Sequence, residues 1–145
     1  MLFRSEVENN IQRFKQLQQQ HRNIQLQCCT TVNVFNIRYI NDVANWIVKQ
    51  GFDFVYWNMM HDAWYFSIAC LPDRAKHALT QYLNTVDIPP EFEEEFTKII
   101  NFMNRGASTD GFMTRMKIAD LDRKRNSNFA VTCPEMAELL EYTGP

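Results

Sequence analysis

Residues 24–60, IQLQCCTTVNVFNIRYINDVANWIVKQGFDFVYWNMM, decide the fold. Ile24 to Phe35 is rich in β-branched side chains, alternates apolar with polar at its start and then turns more uniformly apolar, the pattern of a strand entering a buried sheet. From Asn36 the period changes. Ile40, Val43, Ala44, Ile47 and Val48 fit one helical face, Lys49 suits the last turn, and Gly51 stands where a helix end calls for positive φ. Phe54 to Met60, FVYWNMM, then reads as a second strand buried on both faces. Strand, helix and strand within this one stretch have the length of a βαβ unit, whose strands pair in parallel through a right-handed crossover.

Upstream, Ser5 and Glu8 have the spacing of a capping box, and Val7, Ile11, Phe14 and Leu17 recur at helical spacing behind it. A helix over about residues 5–21 is expected, with Gln16, Gln18, Gln19 and Gln20 on its solvated face. Downstream, Tyr65 to Cys70 (YFSIAC) is a candidate third strand, reached by a turn at His61 to Trp64. A helix follows Pro72 and Asp73 and ends near Asn84, with Ala75, Ala78, Leu79, Tyr82 and Leu83 on its stripe. Pro89 and Pro90 open another, in which Phe92, Phe96, Ile99, Ile100 and Met103 line up before Gly106 ends it. Phe112, Met116 and Leu121 suggest a shorter helix, and Thr132 with Glu135 a second capping box ahead of Met136, Leu139 and Leu140. The expected fold class is α/β: a small parallel sheet of two or three strands with a helical C-terminal region. One domain over residues 1–145 divides into a βαβ-type core, 5–71, and a helical part, 72–145.

The 145 residues are 46% hydrophobic and 22% charged, with a formal net charge of -2. A chain of this length buries roughly 68 to 70% of its unfolded surface, so it needs no disulfide or metal to fold. Its near-neutral balance argues against a nucleic-acid or anionic-membrane binder. Arg115, Lys117, Arg123, Lys124 and Arg125 do not change that, because Asp120 and Asp122 interrupt them. With 4 Gly and 5 Pro it is neither a sandwich of many short strands nor a disordered linker. No apolar run is long enough for a membrane span, and Met1 to Arg4 lead into a polar stretch with no signal-peptide core, so a cytoplasmic location is expected. Cys28, Cys29, Cys70 and Cys133 form no C-x-x-C pair, and neighbours on a strand point to opposite faces. They read as buried structural thiols.

Open α/β sheets bind ligands outside the carboxyl ends of their strands. Those ends place Asn36, Asn58, His61 and Asp62 as a polar cluster at the mouth of a candidate pocket, with Trp57 or Trp64 as its apolar wall. Asn36 reads more readily as a helix cap, the commonest job for Asn at such a corner, and Asp62 also reads as a turn former, whereas aromatic and acidic neighbours make His61 the better candidate for function. No nucleophile elbow, phosphate-cradling glycine loop or metal-ligand spacing occurs in the sequence, so no catalytic residue is assigned. Glu91, Glu93, Glu94 and Glu95 fall in the first turns of a helix, where acidic side chains suit the macrodipole.

Thr30 to Met60, TTVNVFNIRYINDVANWIVKQGFDFVYWNMM, resembles the later strand-helix-strand segment of the partial (βα)6 barrel of radical SAM enzymes. Ile118 to Arg123 and Asn128 to Met136 resemble the C-terminal region of a subgroup of that family known from bacterial and viral genomes. The resemblance implies the back half of such an enzyme. The C-x-x-x-C-x-x-C loop and the Gly-Gly-Glu strand of the front half are absent from these residues, so S-adenosylmethionine and an iron-sulfur cluster are implied for the full-length family and not expected in this chain. The expectation is a fragment or remnant that is inactive alone. A short parallel sheet has open edges and an uncovered face, so self-association as a dimer, or a partner chain that covers the sheet, is expected too. The alternative is a non-catalytic protein-interaction module that self-associates through the sheet edge.

Overall fold

The computed structural model describes residues 2–145, with side chains from Ser5 onward. The elements run α1 (Leu2–Gln20), β1 (Gln27–Val32), α2 (Ile40–Gln50), β2 (Phe54–Met59), α3 (Asp73–Leu83), α4 (Glu93–Arg105), α5 (Phe112–Arg125), α6 (Phe129–Thr132) and α7 (Pro134–Leu139). The fold is α/β, with one two-stranded parallel sheet and a helical C-terminal region. β1 and β2 pair in register from Gln27 opposite Phe54 to Val32 opposite Met59. Gly51 ends α2 at φ 58, donating its N–H to the carbonyls of Ile47 and Val48, which is the positive-φ termination that the sequence calls for.

The sheet has two unlike faces. Cys28, Thr30, Val55, Trp57 and Met59 are half-buried and Val32 is buried, so this face packs on the core. Gln27, Cys29, Thr31, Phe54, Tyr56 and Asn58 point the other way and are exposed, with Phe54 53% and Tyr56 59% accessible. The expectation of a second strand buried on both faces is therefore corrected: among the described residues, helices cover one side of this sheet. Below it, Ile40, Ala44 and Ile47 of α2 join Leu79 and Leu83 of α3, Phe96, Ile99 and Met103 of α4, Ile118 of α5 and Met136 of α7 in one core. Trp57 joins the sheet to α4 and the turn before it through edge-on contacts with Phe92 and Phe96, at centroid separations of 5.3 and 6.2 Å.

Other expectations are corrected too. Tyr65 to Cys70 is no strand: Trp64–Phe66 and Ile68–Cys70 are single 3-10 turns, the second opened by Ser67, whose hydroxyl accepts from the Ala69 N–H. α1 begins at Leu2, so Ser5 lies inside the helix and the first capping box does not form its start. The second box fails as well. Asn128, not Thr132, caps a helix here, accepting from the Ala130 N–H at 2.9 Å, and Pro134 starts α7. α5 turns Thr114, Ile118 and Asp122 inward and leaves Phe112 and Met116 exposed. Its stripe was misjudged because two of the inward residues are polar. Thr114 donates its hydroxyl to the Tyr65 carbonyl at 2.6 Å. The Asp122 carboxylate accepts from the Phe129 N–H (2.8 Å), the Tyr142 hydroxyl (2.8 Å) and the Ser127 hydroxyl (2.9 Å).

α1 is attached by polar contacts. Trp46 donates its indole N–H to Glu8 at 3.1 Å, Lys15 donates to the Gln50 carbonyl, and Gln18 donates to Asp53 at 2.6 Å. Its apolar residues Val7, Phe14 and Leu17 remain 50%, 53% and 42% exposed while Ile11 is half-buried, so most of the helix's apolar stripe stays outside the core.

Candidate functional site

β1 and β2 end side by side, with Thr31 opposite Asn58. Beyond them the chain leaves the sheet through Met60 and His61, and an open depression of about 630 Å3 forms there, lined by Thr31, Trp57, Asn58, Met59, Met60, His61 and Asp62. Three of the four predicted pocket residues, Asn58, His61 and Asp62, thus share one site at the carboxyl ends of the strands. The wall is Trp57; Trp64 is turned away against Tyr65, centroid to centroid 5.8 Å. Asn36 stands outside the lining. Its Oδ1 accepts from the Asn33 N–H and its Nδ2 donates to the Thr31 carbonyl, both at 2.9 Å, so it ties down the end of β1 and caps no helix with its side chain.

The polar groups of the depression differ in what they are free to do. Asn58 donates its Nδ2 to Cys29 Sγ at 3.0 Å, across the uncovered sheet face. His61 is exposed and meets the Phe102 ring edge-on at 5.3 Å. Trp57 holds its indole N–H buried without a partner. Asn58 and His61 thus offer polar groups beside an aromatic and thioether wall, which is the make-up of a binding surface. A nucleophile held by a base is not part of the arrangement.

A second polar cleft, of about 490 Å3, lies where α3 passes the end of α4. Asp73, Lys76, His77 and Thr80 line it from α3, and Asn104, Gly106 and Ser108 from the opposite side. Lys76 is 4% exposed and donates to the Gly106 carbonyl at 2.7 Å. Burial lowers its pKa, against the opposing charge of Asp73. Asn104 donates to the Thr80 hydroxyl at 3.0 Å, and Ser108 donates to Asp73. Sequence reasoning passed over this cleft, although Asp73, Lys76, His77 and Thr80 recur at helical spacing on one face.

The remaining candidates resolve into structure. Glu94 and Glu95 pair with Lys98 at 2.9 and 2.8 Å on an exposed face. Arg115 donates to the carbonyls of Asp110 and Leu140, and Lys124 pairs with Asp120 at 2.7 Å, so part of the basic stretch is occupied internally. The cysteines are not the buried thiols expected: Cys29 is exposed and Cys28, Cys70 and Cys133 are half-buried, because β1 and the turns that carry them lie at the edge of the core. Desolvation still raises the thiol pKa of Cys28 and Cys133. Among the described residues no three His, Cys, Asp or Glu side chains come together as a metal site, and no helix is long and apolar enough to cross a membrane. Compared with protein-family models, curated proteins and solved structures, the chain finds no match.

Proposed function

We propose that this chain is a non-catalytic interaction module that associates with a second copy of itself through the exposed edge of its sheet. The observation that carries the reading is the two-stranded parallel sheet with one face bare, Phe54 and Tyr56 more than half exposed on it. Parallel sheets are stable when both faces are covered, and a strand edge left open is a template for another strand. Among the described residues no third strand pairs with β1 or β2, and on the outer side of β1 only the Thr31 carbonyl is seen to be taken, by the side chains of Asn33 and Asn36. Edge pairing between copies extends the two-stranded sheet and sets Phe54 and Tyr56 of the two copies on one continuous sheet. It would also stand in for the strands that the resemblance to the back half of a partial barrel implies. Sedimentation over a wide concentration range tests it. A mass that rises to a dimer, and falls back to a monomer in Tyr56→Lys, is expected. A monomer at every concentration refutes the reading.

A further inference from the structure

We infer that the cleft between α3 and the end of α4 binds a small carboxylic acid that carries an amino or hydroxyl group on the adjacent carbon. The buried Lys76 carries the argument. Lysine is almost never fully buried unless it is paired, because a desolvated charge without a partner is costly. Lys76 is 4% exposed, and among the described residues no carboxylate stands within ion-pair distance of it. Its bond to the Gly106 carbonyl places a cation at the C-terminal end of α4, which suits the helix dipole and uses one of three N–H donors. Among the described residues the other two donors have no protein partner, and the lysine lines an open cleft. A ligand carboxylate there completes the pair.

The neighbours narrow the class. The Thr80 hydroxyl accepts from Asn104, which leaves its own hydrogen to give to the same carboxylate. Asp73 takes the Ser108 hydroxyl on one oxygen and keeps acceptor capacity on its carboxylate. It lies one helical turn before Lys76, at a spacing of about 5–6 Å between Cβ atoms, so a donor close to the ligand's carboxylate can reach it. A plain carboxylate such as acetate would meet the Asp73 charge with no donor to offer it. An α-amino or α-hydroxy acid satisfies Lys76 and Asp73 together. This site is independent of the sheet edge, so the monomer or dimer result leaves it standing.

The full chain, isotope-labelled for NMR, is titrated separately with glycine, L-lactate, acetate and inorganic phosphate. Saturable shifts at Lys76, Thr80 and Gly106 are expected with glycine and L-lactate, and binding of acetate and phosphate roughly tenfold or more weaker. Lys76→Met, similar in length and uncharged, abolishes the shifts. Asp73→Asn brings glycine down towards acetate. Thr80→Val, which leaves Lys76 in place, weakens glycine and supplies the test should Lys76→Met not fold. Any of three results overturns the inference: no saturable shift with glycine or L-lactate, glycine binding unchanged in Lys76→Met or Thr80→Val, or acetate or phosphate binding as tightly as glycine.

Discussion

Replacing Asp122 by Ala removes a buried charge that ties α5 to the Ser127–Phe129 turn and to Tyr142. Its carboxylate is 5% exposed and accepts from the Phe129 N–H, the Tyr142 hydroxyl and the Ser127 hydroxyl at 2.8, 2.8 and 2.9 Å. A hydrogen bond to a charged group contributes about 1.5–3 kcal/mol, and a donor left buried without its acceptor incurs its desolvation cost. Three bonds on one carboxylate are not additive, so the expected loss is about 3–5 kcal/mol, a large share of the ~5–15 kcal/mol typical of a domain. With a urea slope of about 1–3 kcal/mol/M, the unfolding midpoint falls by about 2 M. Tryptophan fluorescence follows the transition, with Asp120→Ala, which removes only the exposed pair with Lys124, as the control. A midpoint shift in Asp122→Ala no larger than in that control would refute the reasoning. The acid limb provides a second readout. Burial pushes the Asp122 pKa up, but the three donors outweigh it and hold the carboxyl below its ordinary value. The folded state then binds a proton less readily than the unfolded one, so the contribution is complete above the ordinary carboxylate pKa and is lost as pH falls through the depressed one. Asp122→Asn flattens that part of the stability profile.

Tyr142 gives the opposite limb: burial and the bond to Asp122 raise its pKa to about 12, so its contribution holds below the ordinary phenol value and disappears as pH climbs towards 12. Tyr142→Phe is expected to cost about 1–2 kcal/mol at neutral pH and to remove this alkaline loss, measured by urea titration at several pH values. Gly106→Ala would set a methyl group 2.4 Å from the Ala69 carbonyl oxygen and 2.6 Å from its Cβ, and the backbone must shift to admit it. A loss of about 1–3 kcal/mol is expected in thermal unfolding, and an unchanged melting temperature would disprove the close approach. At Gly51 the nearest atom to an added Cβ is Lys15 Nζ at 3.8 Å, so Gly51→Ala meets conformational strain alone, about 1–2 kcal/mol, and Gly51→Asn less. Equal melting temperatures for the alanine and asparagine variants would count against the left-handed cap.

The βαβ core was legible because its signals are local: a change of hydrophobic period at Asn36, and a glycine at a helix end that needs positive φ. The burial of the strands was not, since an apolar run such as FVYWNMM reads the same whether one face is covered or two. Only the tertiary arrangement shows that Tyr56 faces outward while Trp57 meets Phe92 and Phe96. The same holds for α5, where hydrophobic spacing selected Phe112 and Met116 and missed Thr114 and Asp122, polar groups whose partners lie far along the chain. Of the site, Asn58, His61 and Asp62 followed from the rule that open sheets bind at their carboxyl ends. Asn36 lies outside the lining of that depression and ties the end of β1; a corner asparagine can cap a helix or tie a strand, and the choice depends on backbone groups that the sequence does not position. The lysine cleft escaped notice because nothing in a helical row of polar residues tells a solvated face from a buried ammonium.

The attachment of α1 has a kinetic corollary. A segment held by Glu8, Lys15 and Gln18, with Val7, Phe14 and Leu17 outside, surrenders little buried apolar area when it lifts off. Its opening free energy lies well below that of the whole molecule, so its amides exchange with solvent through a local excursion while the core stays folded. At an opening cost of about 1.4 kcal/mol, roughly one molecule in ten would have the helix detached at any instant.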